Sequence, residues 1–239
     1  MPGKNQSTQI KKRTGISISW KTILLISLLF AVRTYERDSV WQEPLSLWMD
    51  AVKKAPHKAR PHINLGVAYN EKGRLDESIS EYKKGLAINP NNAKAHYNLG
   101  FAYNKKGRLD ESISEYKKAL AINPNYAEAH YNLGFAYINK GMLDEAISEN
   151  KKALAINPNY AEAHYNLGVA YNKGRLDESI SEYKKALAIN PNYAEAHNNL
   201  AAAFYYKGNY NLAIVHCNKA IEFGYSVDPK LLELLKPYR

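Results

Sequence analysis

The stretch AEAHYNLGFAYINKGMLDEAISENKKALAINPNY, Ala127 to Tyr160, decides the fold, because close copies of it begin at Ala59, Ala93, Ala161 and Ala194. Repetition at a near-fixed period of this length marks a stacked array, in which each copy buries its apolar face against its neighbours. Within the copy, apolar and small residues recur at helical spacing in two runs. His130, Leu133, Gly134 and Tyr137 form the first; Leu143, Ala146, Ile147, Ala153, Leu154 and Ile156 form the second. The spacing therefore predicts two helices per copy and an all-α chain.

Punctuation supports the same division. Gly73, Gly107, Gly141, Gly174 and Gly208 fall where the first helix can end in a left-handed cap. Asp76, Asp110, Asp144 and Asp177 follow as expected caps of the second helix, and Asn-Pro at 89–90, 123–124, 157–158 and 190–191 is expected to terminate it. The pattern His-x-x-Leu-Gly-x-x-Tyr, then Ala or Ser, then Tyr and Pro, resembles the tetratricopeptide repeat (TPR) across residues 59–227. The resemblance implies a right-handed superhelix, an α-solenoid, of five units: 59–92, 93–126, 127–160, 161–193 and 194–227.

Working outward, WQEPLSLWMDAVKKAPHK places Trp48, Ala51 and Pro56 where Tyr116, Ala119 and Pro124 stand in a full copy. Residues 43–55 are expected to form a half-repeat helix within a juxtamembrane segment, 34–58. After the array, Asp228 and Pro229 start a capping helix in 228–239, whose leucines cover the exposed apolar end. Three irregularities stand out. The fourth copy is one residue shorter at Tyr171-Asn172-Lys173-Gly174, so its turn must tighten. Gly85 replaces an alanine at an expected cost of about 1 kcal/mol. Asn150 replaces a packing tyrosine and needs a partner for its amide.

The 239-residue chain carries a formal +10, but residues 1–58 hold ten basic and four acidic side chains against twenty and seventeen over 59–227. The excess is concentrated ahead of the repeats, and no aromatics interleave with the lysine pairs of the second helix, so nucleic acid is not an expected partner. A basic tail, 1–15, precedes the apolar run 16–33. Its core, Ile16 to Val32, spans roughly 25 Å as a helix, near the lower limit for crossing a bilayer. An uncleaved transmembrane anchor is expected; a cleaved signal peptide or the last span of a longer protein are the alternatives. Lysines and arginines gather before the span, which implies a cytoplasmic N-terminus and extracytoplasmic repeats, periplasmic in a bacterium.

Candidate contact residues lie on the first helix of each copy, which the family resemblance places along a concave groove. At the sixth position stand Asn64, Asn98, Asn132, Asn166 and Asn199. These amides suit either an extended peptide or the stabilising of neighbouring helices, and they resemble the ladder in the repeats of O-linked N-acetylglucosamine transferase. Beside them lie the aromatic anchors Tyr97, Tyr131 and Tyr165, and Phe101 and Phe135. The second position reads Arg60 and Lys94, then Glu128, Glu162 and Glu195, a graded charge that can orient a ligand.

The histidine column His62, His96, His130, His164 and His197 recurs about one helix-packing distance apart, too far to share a metal. Interior packing is its expected role. Single Cys217 falls at the packing position of Tyr116 and is expected to be buried and inert. No phosphate loop or nucleophile elbow occurs, so neither catalysis nor a cofactor is expected. The expected function is a membrane-anchored adaptor for a protein or extended peptide. The alternative is an accessory or truncated part of a membrane glycosyltransferase, because residues 34–69 resemble the span–repeat junction of transmembrane TPR-containing O-mannosyltransferases.

Overall fold

The structure is a computed structural model that describes residues 22, 23, 25–28, 44–172 and 174–238. A short helix, α1 (Pro44–Lys54), leads into five helix pairs: α2 (Ala59–Glu71) with α3 (Leu75–Ile88), α4 (Ala93–Lys105) with α5 (Leu109–Ile122), α6 (Ala127–Asn139) with α7 (Leu143–Ile156), α8 (Ala161–Tyr171) with α9 (Leu176–Ile189), and α10 (Ala194–Tyr206) with α11 (Tyr210–Glu222). α12 (Pro229–Leu235) and a 3-10 turn at Lys236–Tyr238 close the chain. No strand occurs among the described residues. Each helix packs on its partner within the copy, and each second helix packs on the first helix of the next copy, which makes the array a solenoid.

The expected anchor lies outside the described residues except for 22, 23 and 25–28, which are helical and exposed. Among the described residues no helix is long and apolar enough to cross a membrane.

The core repeats with the sequence. Tyr82, Tyr116 and Tyr183 from the second helices are almost wholly buried, each against a first-helix glycine. A Cβ built at Gly66, Gly100 or Gly168 would stand 2.7, 2.9 or 2.4 Å from the facing ring, so these positions need glycine for close approach and not for a turn. Each ring removes on the order of 150 Å² from water, about 4 kcal/mol before ordering costs. In the fifth copy the pair changes together: Ala201 faces the site where Cys217 replaces the tyrosine, and both are fully buried. Gly85 has a similar explanation. A Cβ there would meet Ile63 Cγ1 at 2.7 Å, so the glycine makes room for a β-branched neighbour that the later copies lack.

All five turn glycines take positive φ, 72° to 75° in four copies and 96° at Gly174 in the shortened one. There the first helix stops two residues earlier, at Tyr171, and the stack continues. The aspartates do not cap the second helices. Those helices begin at Leu75, Leu109, Leu143 and Leu176, which puts the aspartates inside the first turn, where they complement the helix dipole. Arg74, Arg108 and Arg175 instead bridge that turn to Glu77, Glu111 and Glu178. Asp76, Asp110 and Asp177 reach forward to Lys106, Lys140 and Lys207 of the following copy.

Candidate functional site

The first helices present one stripe per copy at i, i+3, i+4 and i+7, exemplified by Glu128, Tyr131, Asn132 and Phe135. Phe135 is 38% exposed, whereas Phe101 is half-buried under Lys105, whose Nζ lies 4.8 Å from the ring centre. The third copy has Asn139 at the position of that lysine, so its phenylalanine stays uncovered.

Three of the five asparagines are not a free ladder. Asn132, 9% exposed, donates through Nδ2 to the Tyr97 hydroxyl of the preceding copy at 3.1 Å and to the Glu128 carbonyl at 2.9 Å. Asn199 does the same with Tyr165 at 3.1 Å and with Tyr183 at 3.4 Å. Asn166 is 3% exposed and its Nδ2 has no partner. Asn64 and Asn98 remain half-buried, with no side-chain hydrogen bond among the described residues. The physical reason is the residue one copy earlier. A tyrosine at the fifth position offers a hydroxyl to the next asparagine, and the first copy carries Ile63 there.

The middle of the array breaks this pattern. Asn166 follows a copy that carries Tyr131 at the fifth position, yet its Nδ2 makes no bond to that hydroxyl, and Asn150 holds the sequence position of the Tyr183 that reaches Asn199. Asn150 donates to the Ala146 carbonyl at 2.8 Å, but its Oδ1 is left unpartnered in a fully buried position, as is Asn166 Nδ2. Unsatisfied buried amide atoms are costly and mark a place where a polar group is wanted.

Tyrosines absent from the expected set complete the face. Tyr126, Tyr160 and Tyr193 precede the first helices of the last three copies and pack at a tilt on Tyr97, Tyr131 and Tyr165, with ring centres 4.9, 4.9 and 5.0 Å apart. Burial, the neighbouring tyrosine and Glu128 push the Tyr126 hydroxyl up to about 12. Burial likewise raises Tyr160 and Tyr193, with their paired tyrosines and nearby glutamates adding to the effect, so all three hydroxyls stay neutral donors. Their signal was visible in the sequence: Asn-Pro-Asn-Tyr precedes each Ala-Glu, whereas Asn-Pro-Asn-Asn precedes Ala-Lys.

The histidines are spent inside the repeat. His62, His96 and His130 reach the carboxylates of Glu81, Glu115 and Glu149 at 2.6 Å through Nδ1, and the carbonyls of Pro56, Pro90 and Pro124 at 2.9 to 3.0 Å through Nε2. His164 meets Glu182 at 2.6 Å. In the fifth copy His216 takes the place of that glutamate, and its Nδ1 lies 2.8 Å from that of His197.

A family model described as TPR repeat matches residues 66–107, 102–141, 137–173 and 171–208, and one described as tetratricopeptide repeat matches 194–223. Among solved structures, a crystal structure of MamA is 33% identical with a TM-score of 0.62, covering 66% of this chain and 94% of that one. YrrB, described as a TPR protein with an unusual peptide-binding site, is 26% identical with a TM-score of 0.65, covering 80% and 97%. Protein O-mannosyl-transferase TMTC1 of Mus musculus is 29% identical over 76 residues, 32% of this chain. The match spans 8% of that mouse protein and 9% of the human one.

Proposed function

Because the chain belongs to the tetratricopeptide repeat family, we propose that it is a scaffold that performs no chemistry and holds an extended peptide or a partner helix along its first-helix face. The observation that supports this reading is the continuous column of half-exposed rings from Tyr97 to Tyr193, with uncovered Phe135 between them. Aromatic side chains of this kind bring large contact area at low entropic cost, as anchors at interfaces do. The likeness to YrrB, itself described with a peptide-binding site, favours the same class of ligand. Half-buried Asn64 and Asn98 are the asparagines still able to bond peptide groups; Asn132 and Asn199 act mainly as ties between copies. Isothermal titration of a partner fragment against the wild type and Phe135→Arg tests the face: the variant is expected to abolish binding, and unchanged affinity defeats the reading.

Residues 16–33 tether the scaffold to a membrane, with the N-terminus cytoplasmic and the repeats on the opposite side. The support is the apolar run and the basic residues that precede it. Protease added to sealed right-side-out vesicles should cleave the repeats. Protection removes the orientation, and release of the chain by alkaline washing removes the anchor.

The likeness to Protein O-mannosyl-transferase TMTC1 favours a second reading, an accessory or partial chain of a membrane glycosyltransferase. A multi-span coding region in frame immediately upstream of Met1 selects it, whereas an independent promoter selects the scaffold.

A further inference from the structure

The first-helix face changes character along the array. From the second copy onward a tilted tyrosine pair and a glutamate recur as a unit: Tyr97, Tyr126 and Glu128; Tyr131, Tyr160 and Glu162; Tyr165, Tyr193 and Glu195. In each unit burial raises both hydroxyls, and the nearby glutamate adds a smaller push in the same direction. The three glutamates are exposed, and none has an ion-pair partner among the described residues. Most acids elsewhere are paired, Glu77, Glu81, Glu111, Glu115, Glu149 and Glu182 among them. Helix starts do not require these acids, because the first two copies fold with Arg60 and Lys94 at the same position.

A neutral aromatic pair beside an unpaired carboxylate is a receptor for a cation: the ring faces attract a guanidinium or ammonium, and the carboxylate completes a charge-assisted hydrogen bond. Successive first helices are in contact, as the Asn132 to Tyr97 bond requires, so the units recur at roughly the 8–10 Å of packed helices. Three residues of extended or polyproline II chain advance about 9–10 Å, and in polyproline II every third side chain returns to the same face. The middle unit carries an additional feature. Asn166, whose counterparts give their amide hydrogens to the preceding tyrosine, keeps a buried donor with no partner there.

We propose that this tyrosine–glutamate face binds a peptide segment in polyproline II conformation with lysine or arginine at every third residue, the central cation seated in the Tyr131–Tyr160–Glu162 unit. The inference rests on the first-helix face being the binding surface. Arg60 and Lys94 repel such a segment, which confines it to the face from Tyr97 onward and fixes its register.

The test is fluorescence anisotropy on the full chain in detergent, with three labelled peptides of equal length built on alanine and proline. One bears arginine at every third residue, one has glutamine in those places, and one has the same arginines clustered at one end. The spaced arginine peptide should bind about tenfold or more tighter than the glutamine peptide and measurably tighter than the clustered one. Glu128→Gln, Glu162→Gln and Glu195→Gln combined should erase that preference while leaving the helix content intact, at the small cost in melting temperature of three lost first-turn charges. Failure of the spaced peptide to bind, equal binding of arginine and glutamine peptides, or an unaffected triple variant overturns the cation rule. Phe135→Arg separates the two levels: peptides that bind alike and are all lost in this variant overturn the cation rule alone, whereas binding indifferent to it overturns the face as well.

Discussion

At the residue scale, stability turns on what sits opposite a first-helix glycine. Asn150 fills the foot of a site built for tyrosine and leaves its own Oδ1 and Asn166 Nδ2 without partners. Asn150→Tyr should therefore raise stability by about 1–2 kcal/mol, by restoring apolar contact and removing the buried unpartnered Oδ1; thermal melting checks it, and a lowered midpoint contradicts it. Gly168→Ala should lower stability by about 1–3 kcal/mol, because the Tyr183 ring is in the way of the new methyl. Gly85→Ala should gain less than the helix propensity alone suggests, since Ile63 occupies the space. The sequence showed that Gly85 and Asn150 depart from the pattern. It did not show what faced them, because a repeat pattern records which residue changed and not which neighbour changed with it.

At the scale of the element, helices and turns were legible because the repeat presents the same 3.6-residue pattern and the same glycine several times. The aspartates were misplaced by two residues, from cap to first turn, since capping and dipole interactions favour the same residue types at adjacent positions. Tyr126, Tyr160 and Tyr193 escaped because they stand just outside the helices on which contact residues were sought. The fifth helix pair carries a pH dependence of its own. Burial, together with His197, Lys219 and Lys184, depresses His216 to about 4, and His197 is lowered as well. A histidine depressed in the folded state stabilises fully above its ordinary value near 6.5, and that contribution is lost as pH falls toward about 4. Glu149 and Glu182 behave differently. Burial raises them, but bonds from His130 and Lys152, and from His164 and Lys185, outweigh it, so their contribution fades only at still lower pH. Protection of the Tyr210–Glu222 amides from hydrogen exchange, relative to their intrinsic rates at each pH, should therefore fall between pH 6.5 and 4 before that of the other second helices. His216→Glu, which recreates the pair made by His62 and Glu81, should remove the difference.

At the scale of the whole molecule, a stack of nearest neighbours is only as sound as its ends. α12 buries Leu235 completely and packs Leu231 and Leu232 against the last copy, with Asp228 capping its start through the Lys230 amide. Ending the chain at Val227 should expose that apolar surface, cost about 2–4 kcal/mol and promote self-association visible in light scattering; an unchanged monomer contradicts the capping role. Solenoid geometry also sets the function, because side-by-side first helices make one continuous face from residues far apart in sequence. The measurement that tests this most directly is photocrosslinking in intact membranes, with a photoreactive residue placed either at Phe135 on the first-helix face or at Lys151 on a second helix. Capture of one discrete partner from position 135, and none from 151, is the expected result. Capture from 151 alone would show that the partner meets the other side of the stack and would contradict the account.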